Sequence, residues 1–453
     1  MGGILLGCLF GTDGVRGVAN QSLTPEMALG LGQAAGAYFL KQHGGRPQII
    51  IGKDTRISGD MLEAALAAGL ASVGVDVLRL GVIPTPGVAF LCRHLKAAAG
   101  VMISASHNPV PDNGIKFFDH QGYKLSDTVE DEIEAIYFNK LAQLERPIGV
   151  QVGVITDNLG AIKAYEDYLV ASVPVSFVGL KIVIDCGFGA AYDLAPRVLE
   201  RLGATVIPLH NQNDGSRINV RCGSTHTGLL QEKVKENGAH LGVAHDGDAD
   251  RVIAVDERGV EIDGDQIITI CGLQLLAEGK LKNKKVAVTV YSNLGLIEAF
   301  KQHQAEVVIT ANGDRYVLEA LREQDLVLGG EQSGHIIFLD KNTTGDGVMT
   351  ALQLIAVVVR TGRCLSELAA QMKHFPQVLE NVRVKRKEGW EDNSQIKQLI
   401  AKAEQTLVGR GRILVRASGT EPLIRVMAEG PDAAELERIT KELVELIQKE
   451  QGG

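Results

Sequence analysis

The sequence has few cysteines, no excess of positive charge and no long apolar run. Six cysteines are dispersed over 453 residues without a C-x-x-C pair, so we expect free thiols in a reducing cytoplasm rather than a zinc site. A formal net charge of −9 argues against a general nucleic-acid binder, which needs a basic face. No segment approaches the ~20 apolar residues that cross a bilayer, so we expect no membrane association.

The first nine residues are apolar but lack the features of a targeting signal. They carry no basic residue and are too short for a signal peptide. Gly2 suggests myristoylation, but that motif needs Ser or Thr where Leu6 stands. We therefore expect residues 1–9 to be a ragged start without a targeting role.

An order of strand, Gly-containing turn, helix and strand occurs three times along the chain. It runs over residues 48–80, again over 181–208 and again over 285–309. This pattern is typical of a largely parallel sheet covered by helices. The sequence therefore predicts three similar α/β domains.

From about residue 374 the pattern changes. Half-exposed strands are predicted near 382–385, 412–416 and 423–427, with amphipathic helices near 393–407 and 432–449. These elements predict a smaller α+β domain at the end of the chain. The predicted domains are residues 1–155, 156–257, 258–373 and 374–453.

Two serines follow the apolar run Gly100-Val-Met-Ile103, which predicts a strand. The next residues, Ser104-Ala-Ser-His-Asn-Pro109, are small or polar, and a scaffold can present a reactive hydroxyl at such a strand end. Lys116 follows closely enough to contribute positive charge there. These residues alone do not decide between Ser104 and Ser106 as a nucleophile.

Asp246, Asp248 and Asp250 alternate between two predicted strands. Three carboxylates in one tight loop suit a hard cation such as Mg²⁺ or Ca²⁺. An EF-hand is excluded, because Arg251 stands where that loop needs glycine and because the flanks predict strands. An acidic hairpin turn stays open as the alternative, although crowded carboxylates repel one another unless positive charge lies among them.

Two further polar loops suit a phosphorylated sugar. Arg416-Ala-Ser-Gly-Thr-Glu-Pro422, followed by Arg425, offers guanidinium, hydroxyl and backbone donors to an anion. Gly330-Glu-Gln-Ser-Gly-His335 alternates a carboxylate, a hydroxyl and an imidazole, which suit sugar hydroxyls and proton transfer. Taken singly, each also fits an ordinary solvated loop. Arg16, Lys53 and Arg56 lie in Gly-bracketed loops and would favour anions, although such residues are most often surface charges.

Together these loops resemble the α-D-phosphohexomutase superfamily, in the same order from Phe10 to Arg425. With Ile218-Asn-Val-Arg-Cys-Gly-Ser-Thr-His226, they are most similar to the bacterial branch that acts on glucosamine phosphates. The resemblance implies four domains around a central active-site cleft. It also implies an isomerase that interconverts glucosamine 6-phosphate and glucosamine 1-phosphate, a step towards UDP-N-acetylglucosamine. The alternatives are a phosphoglucomutase or phosphomannomutase of the same superfamily, and a non-catalytic phosphosugar sensor.

The resemblance further implies roles for single residues. Ser106 would carry a phosphoryl group, with glucosamine 1,6-bisphosphate as intermediate and activator. Mg²⁺ would be held by Ser106, Asp246, Asp248 and Asp250. Charge stabilisation or proton transfer is implied for Arg16, His107, Lys116, Arg251 and His335. Sugar contacts are implied for Glu331 and Ser333, and phosphate contacts for Arg416, Ser418, Gly419, Thr420 and Arg425. Superfamily members are often homodimers through the first domain, so we expect a homodimer.

Overall fold

The structure, a computed structural model, describes residues 9–11, 13–43, 45–386, 388–418 and 422–452. Most of the apolar start, with Gly419 and Thr420, therefore lies outside the described residues. The chain forms two compact units: one extends to Tyr291 and includes Ala305–Gln371, and the other holds Ser292–Gln304 and the chain from Met372 onward. None of the described helices is both long and apolar enough to cross a membrane.

The first sheet is mixed and has six strands. Its elements in chain order are β1 (Val15–Val18), α1 (Pro25–His43), β2 (Gln48–Lys53), α2 (Ser58–Ser72), β3 (Asp76–Val82), α3 (Thr85–His94), β4 (Ala99–Ile103), β5 (Asp112–Asp119), α4 (Asp127–Asn139) and β6 (Ile155–Asp157). The strand order is β1-β5-β4-β2-β3-β6, in which the pairs made by β5 are antiparallel and the others parallel. Because β6 pairs with β3, this sheet includes residues up to Asp157.

The second sheet is also mixed and has five strands. Its region contains α5 (Ile162–Ala171), β7 (Lys181–Asp185), α6 (Leu194–Arg201), β8 (Thr205–Leu209), α7 (Gly228–Glu236), β9 (Leu241–His245), β10 (Val252–Asp256) and β11 (Glu261–Ile262). The order is β11-β10-β9-β7-β8, with β9, β7 and β8 parallel and the β9–β10–β11 pairs antiparallel.

The third sheet has four strands. Its region contains α8 (Gly264–Ala277), β12 (Lys285–Thr289), α9 (Leu294–Gln302), β13 (Glu306–Thr310), α10 (Asp314–Glu323), β14 (Leu328–Gly330), β15 (Ile336–Phe338), α11 (Gly347–Thr361) and α12 (Leu365–Ala369). The order is β13-β12-β14-β15, and the β14–β15 pair is antiparallel. The residues of α9 belong to the second compact unit.

The fourth sheet is antiparallel and has three strands. Its region contains β16 (Gln377–Arg383), α13 (Ser394–Leu407), β17 (Arg412–Ala417), β18 (Leu423–Glu429) and α14 (Ala433–Gln451). The order is β16-β18-β17. Three mixed α/β sheets and a smaller α+β region confirm the predicted fold class. β16 begins five residues before the predicted strand, because pairing with β18 extends over exposed residues such as Leu379 that show no apolar alternation.

Helices cover both faces of the first sheet, which explains the continuous apolar run in β2. Ile49 and Ile51 belong to one core cluster, which includes residues of α1 and α2. Ile50 belongs to another, which includes Val88 and Leu91 of α3. Because successive strand residues point to opposite faces, a strand buried on both sides contains no polar alternation.

Two loops with chemical groups begin where internal strands end. β4 ends at Ile103, just before the serine loop, and β9 ends at His245, just before the acidic loop. Each strand has a parallel neighbour, β2 and β7 respectively. In sheets of this kind, ligands bind beyond the carboxyl ends of the strands.

Candidate active site

The structure brings Ser106 to the acidic loop. Its hydroxyl donates to Asp246 Oδ2 at 2.6 Å and lies 3.4 Å from Nδ1 of His107. Ser106 is 1% exposed, and its φ of 54° lies in the left-handed region that favours glycine. The Ser104 hydroxyl donates instead to Asp54 Oδ2 at 2.6 Å. Of the two serines, Ser106 is therefore the one that faces the carboxylates.

Asp246, Asp248 and Asp250 converge in the hairpin loop between β9 and β10. One oxygen from each lies within 4.8 Å of the others, and all three residues are buried. Burial, followed by the charges of Asp250 and Asp248, raises the pKa of Asp246 well above its usual value. Asp248 Oδ1 and Asp250 Oδ1 are buried without a hydrogen-bond partner. Three converging carboxylates, two of which have an oxygen without a hydrogen bond, fit a hard divalent cation.

Lys116 lies on β5 and faces the same carboxylates. Its Nζ is 3.1 Å from Asp248 Oδ2 and 3.9 Å from Asp250 Oδ2, and the side chain is 3% exposed. Burial alone would lower the pKa of Lys116, but the two carboxylates raise it above its ordinary value. A fixed positive charge therefore lies beside the acidic loop and offsets part of its negative charge.

His335 approaches Asp250 from the loop between β14 and β15. Its Nδ1 is 3.4 Å from Asp250 Oδ2, and its Nε2 is 3.7 Å from Asp314 Oδ2. Burial alone would lower the pKa of His335, but the two carboxylates, Asp250 first, raise it to about 9. The Gly345 N–H also donates to Nε2 at 3.2 Å, which suits a neutral ring. The two carboxylates favour the protonated ring more strongly than the single N–H donor favours the neutral ring, so His335 is an imidazolium near pH 7.

Two arginines complete the positive surroundings. The Arg251 backbone N–H donates to Asp246 Oδ1 at 3.2 Å, and its Nε lies 3.9 Å from Asp250 Oδ1. Arg16 lies 3.2 Å from Asp13 and donates to Asn108 Oδ1 at 3.4 Å.

His107, next to Ser106, has the opposite protonation preference to His335. Burial, and then the charges of Arg251 and Arg16, lower the pKa of His107 to about 4. Its ring is therefore neutral near pH 7 and has a nitrogen that can accept a proton.

Glu331 and Ser333 lie in the same β14–β15 loop as His335. The Ser333 hydroxyl donates to Glu331 Oε2 at 3.1 Å, and Ser333 is exposed. Burial alone would lower the pKa of Arg251, but the charges of Asp250, Asp246 and then Glu331 raise it above its usual value. The structure thus places both predicted sugar-contact residues in the compact unit that holds Ser106.

The predicted phosphate loop lies in the second compact unit. Arg416 and Arg425 are register partners on β17 and β18. Ser418 is buried, and its backbone N–H donates to the Leu423 carbonyl at 2.9 Å. Directly opposed residues in an antiparallel pair are close neighbours on one face, so Arg416 and Arg425 are neighbours on the β17–β18 pair.

Sequence reasoning missed several residues that support the site. Thr85 Oγ1 donates to Asp248 Oδ2 at 2.6 Å from the start of α3. Asn219 Nδ2 donates to the Ser106 carbonyl at 2.8 Å. The motif that contains Asn219 was used above only to identify the resembling family, and no role was predicted for this residue. Arg56 is a buried partner of Asp54 rather than a surface charge. Apart from Asp54, their partners lie far away in the sequence or are backbone atoms, so no local pattern signals these contacts.

The chain matches all four domain models of one protein family. The model described as phosphoglucomutase/phosphomannomutase, alpha/beta/alpha domain I, matches residues 7–143. Domain II matches residues 163–259, domain III residues 263–375, and the C-terminal domain residues 379–446.

Full-length relatives and a solved structure agree with these matches. The phosphoglucosamine mutase of Carboxydothermus hydrogenoformans is 56% identical over 444 residues, which are 98% of this chain and 100% of that protein. That of Desulforamulus reducens is 56% identical over 439 residues, covering 97% and 99%. The crystal structure of a phosphoglucomutase/phosphomannomutase family protein from Burkholderia thailandensis superposes with a TM-score of 0.80 at 25% identity, over 96% of each chain.

Proposed function

The chain belongs to the phosphoglucomutase/phosphomannomutase family, and we propose that it interconverts glucosamine 6-phosphate and glucosamine 1-phosphate. One observation carries the proposal: the Ser106 hydroxyl lies 2.6 Å from Asp246 in a buried cluster of three carboxylates. Relatives named phosphoglucosamine mutase, 56% identical over nearly the full chain, support the choice of sugar.

In the proposed reaction Ser106 carries a phosphoryl group. The Oγ–phosphorus bond breaks as the C1 hydroxyl oxygen of glucosamine 6-phosphate bonds to phosphorus. The C1 hydroxyl proton passes to a base, and Ser106 Oγ takes up a proton to become a hydroxyl again. The resulting glucosamine 1,6-bisphosphate turns around. Its O6–phosphorus bond then breaks and O6 takes up a proton. The Ser106 hydroxyl gives up its proton to a base as Oγ bonds to the 6-phosphoryl group. Such transfers depend on positioning and charge neutralisation more than on covalent help from the protein.

Asp246, Asp248, Asp250 and an oxygen of Ser106 or its phosphate would hold Mg²⁺. When bound, the cation would supply charge neutralisation for the phosphoryl group. Lys116, with Nζ 3.1 Å from Asp248 Oδ2, adds a positive charge that does not depend on the metal.

The two histidines have different proposed tasks. His107, with a pKa lowered to about 4, is neutral and lies 3.4 Å from Ser106 Oγ, so it can accept a proton there. His335, with a pKa raised to about 9, is a fixed positive charge beside Asp250. Arg16 and Arg251 add charge stabilisation.

The remaining residues would hold the substrate. Glu331 and Ser333 offer a carboxylate and a hydroxyl to sugar hydroxyl groups. The non-reacting phosphate would be bound by Arg416, Ser418, Gly419, Thr420 and Arg425. Because the proposal contains one such loop, the bisphosphate must reorient between the two transfers.

The proposal also places the enzyme in the cytoplasm as a homodimer. Cys92, Cys186, Cys222, Cys271 and Cys364 are free thiols, as expected in a reducing compartment. The homodimer rests on the family resemblance alone. Sedimentation of the purified chain tests it.

Substrate choice is tested by comparing kcat/KM for the 6-phosphates of glucosamine, glucose and mannose. We expect glucosamine 6-phosphate to be preferred by at least about 10-fold. Preference for glucose or mannose would favour a phosphoglucomutase or phosphomannomutase instead. Binding without turnover of any of the three would favour the sensor.

A further inference from the structure

The Arg56 guanidinium is clamped onto the loop that carries Ser106. Arg56 follows β2 in the chain, and its side chain is fully buried, with 0% exposed. Nη1 donates to the carbonyls of Pro109 at 2.6 Å and Asp112 at 3.0 Å. Nη2 donates to the carbonyls of Ser106 at 3.0 Å and Asn108 at 2.7 Å. One side chain therefore binds four carbonyls between Ser106 and Asp112, where β5 begins.

Arg56 has no donor left for a substrate anion. Its Nε donates to Asp54 Oδ2 at 3.0 Å, so all five N–H groups of the guanidinium are engaged. This excludes the phosphate contact that its sequence position suggested. Lysine has three donors and no planar fork, so it cannot reproduce these contacts.

Asp54 extends the same support to the backbone of Ser106. Its Oδ2 also accepts a hydrogen bond from Ser104 Oγ at 2.6 Å. Ser104 Oγ in turn accepts from the Ser106 N–H at 2.9 Å. Both the N–H and the carbonyl of Ser106 are thus tied to the Asp54–Arg56 pair.

Asn219 holds the loop from the second sheet region. Its Nδ2 donates to the carbonyls of Ser106 at 2.8 Å and Asn108 at 3.2 Å, which Arg56 also binds. Ser106 needs such support, because its φ of 54° is unfavourable for a residue with a side chain. Two anchors from different sheets converge on one strained residue.

We propose that Arg56, assisted by Asn219, is a positioning residue for phosphoryl transfer at Ser106. The clamp holds Ser106 Oγ at the carboxylate cluster, 2.6 Å from Asp246. A displacement of about 1 Å at a reacting atom can cost about 100-fold in rate. All five N–H groups of Arg56 bind Asp54 or the backbone of residues 106–112 rather than substrate, so substrate affinity should change little. The catalytic part of this inference rests on the proposed function.

The test is Arg56→Lys in the full chain. We expect kcat for glucosamine 6-phosphate to fall about 100-fold while KM changes less than about 2-fold. Arg46→Lys is the matched control, since Arg46 also pairs with an aspartate, Asp76, and donates to the carbonyls of Val150 and Val152, but on the exposed surface. It should keep wild-type kcat. A wild-type kcat for Arg56→Lys, or a loss confined to KM, would overturn the proposal.

A second variant covers the case in which Arg56→Lys does not fold. Asn219→Gly removes the amide group, and glycine accepts the φ of 60° found at Asn219. We expect kcat to fall about 10-fold with KM unchanged. An unchanged kcat would contradict the role of Asn219 and the shared clamp.

Hydrogen exchange without substrate separates the clamp from the proposed function. Amides of residues 104–112 should exchange faster in the folded clamp variants than in Arg46→Lys. Unchanged exchange would contradict the clamp even in an active mutase. If the wild type turns over no hexose phosphate but the variants exchange faster, the proposed function fails and the clamp remains.

Discussion

Thr85 and Asp248 are joined by two hydrogen bonds. Thr85 Oγ1 donates to Asp248 Oδ2 at 2.6 Å, and the Thr85 N–H donates to the Asp248 carbonyl at 2.9 Å. Thr85 begins α3 beside the first sheet, whereas Asp248 lies in a hairpin of the second. Asp248 Oδ2 is contacted by both Thr85 and Lys116, whereas Asp248 Oδ1 has no hydrogen-bond partner. The orientation of one predicted metal ligand is therefore set from another sheet region.

Replacing Thr85 by the isosteric valine should weaken metal binding. Outer residues that orient metal ligands typically contribute 10–100-fold to affinity, so we expect half-maximal activity of Thr85→Val at about 10-fold higher Mg²⁺. Asp248→Asn, which alters the ligand itself, should have the larger effect. Thr156→Val, on the edge strand β6, is the control. Unchanged Mg²⁺ dependence in both Thr85→Val and Asp248→Asn would count against the acidic loop as the metal site.

Replacing Lys116 by methionine should slow the reaction with little effect on substrate binding. The change removes the buried positive charge of Lys116, whose Nζ lies 3.1 Å from Asp248 Oδ2. This charge lies in the site where the transferred phosphoryl group brings negative charge. Removing one such stabilising group costs about 100–1,000-fold in kcat. Lys163→Met, which removes an exposed lysine paired with Asp167, should leave kcat unchanged. If Lys116→Met kept wild-type kcat at normal Mg²⁺, the charge would have no catalytic role.

Alkylation of the native protein should distinguish its cysteines. Burial raises the pKa of Cys92, Cys222 and Cys271 to about 12, so these thiols are protonated and shielded at pH 8. Cys364 is half-buried. Peptide mass spectrometry after brief iodoacetamide treatment should find Cys364 modified well before those three. Faster modification of Cys271 than of Cys364 would contradict the packing of α8.

Local patterns predicted much of the fold and part of the site. Apolar runs and periodicity indicated the four sheet regions, and three aspartates within five residues indicated a cation site because the ligands are neighbours in the chain. The approach of Ser106 to Asp246, 140 positions away, depends on how two sheet regions pack. Only family resemblance anticipated it.

The roles of Arg56 and Thr85 in supporting the site could not be predicted from the sequence, for a physical reason. The partners of Arg56 are mostly backbone carbonyls, which every residue has, so no residue type marks the contact. Thr85 looks like an ordinary helix start and contacts a residue 163 positions away. Interactions of this kind become visible only once the sheets are placed.

The central claim is that Ser106 carries the phosphoryl group, and intact mass spectrometry tests it most directly. A fraction of the purified wild-type chain should be heavier by one phosphate, and a tryptic peptide should place that phosphate on Ser106. Ser106→Ala should lack the heavier species and nearly all mutase activity, because it removes the hydroxyl that donates to Asp246. A phosphorylated Ser106→Ala chain, or one with wild-type turnover, would contradict the account.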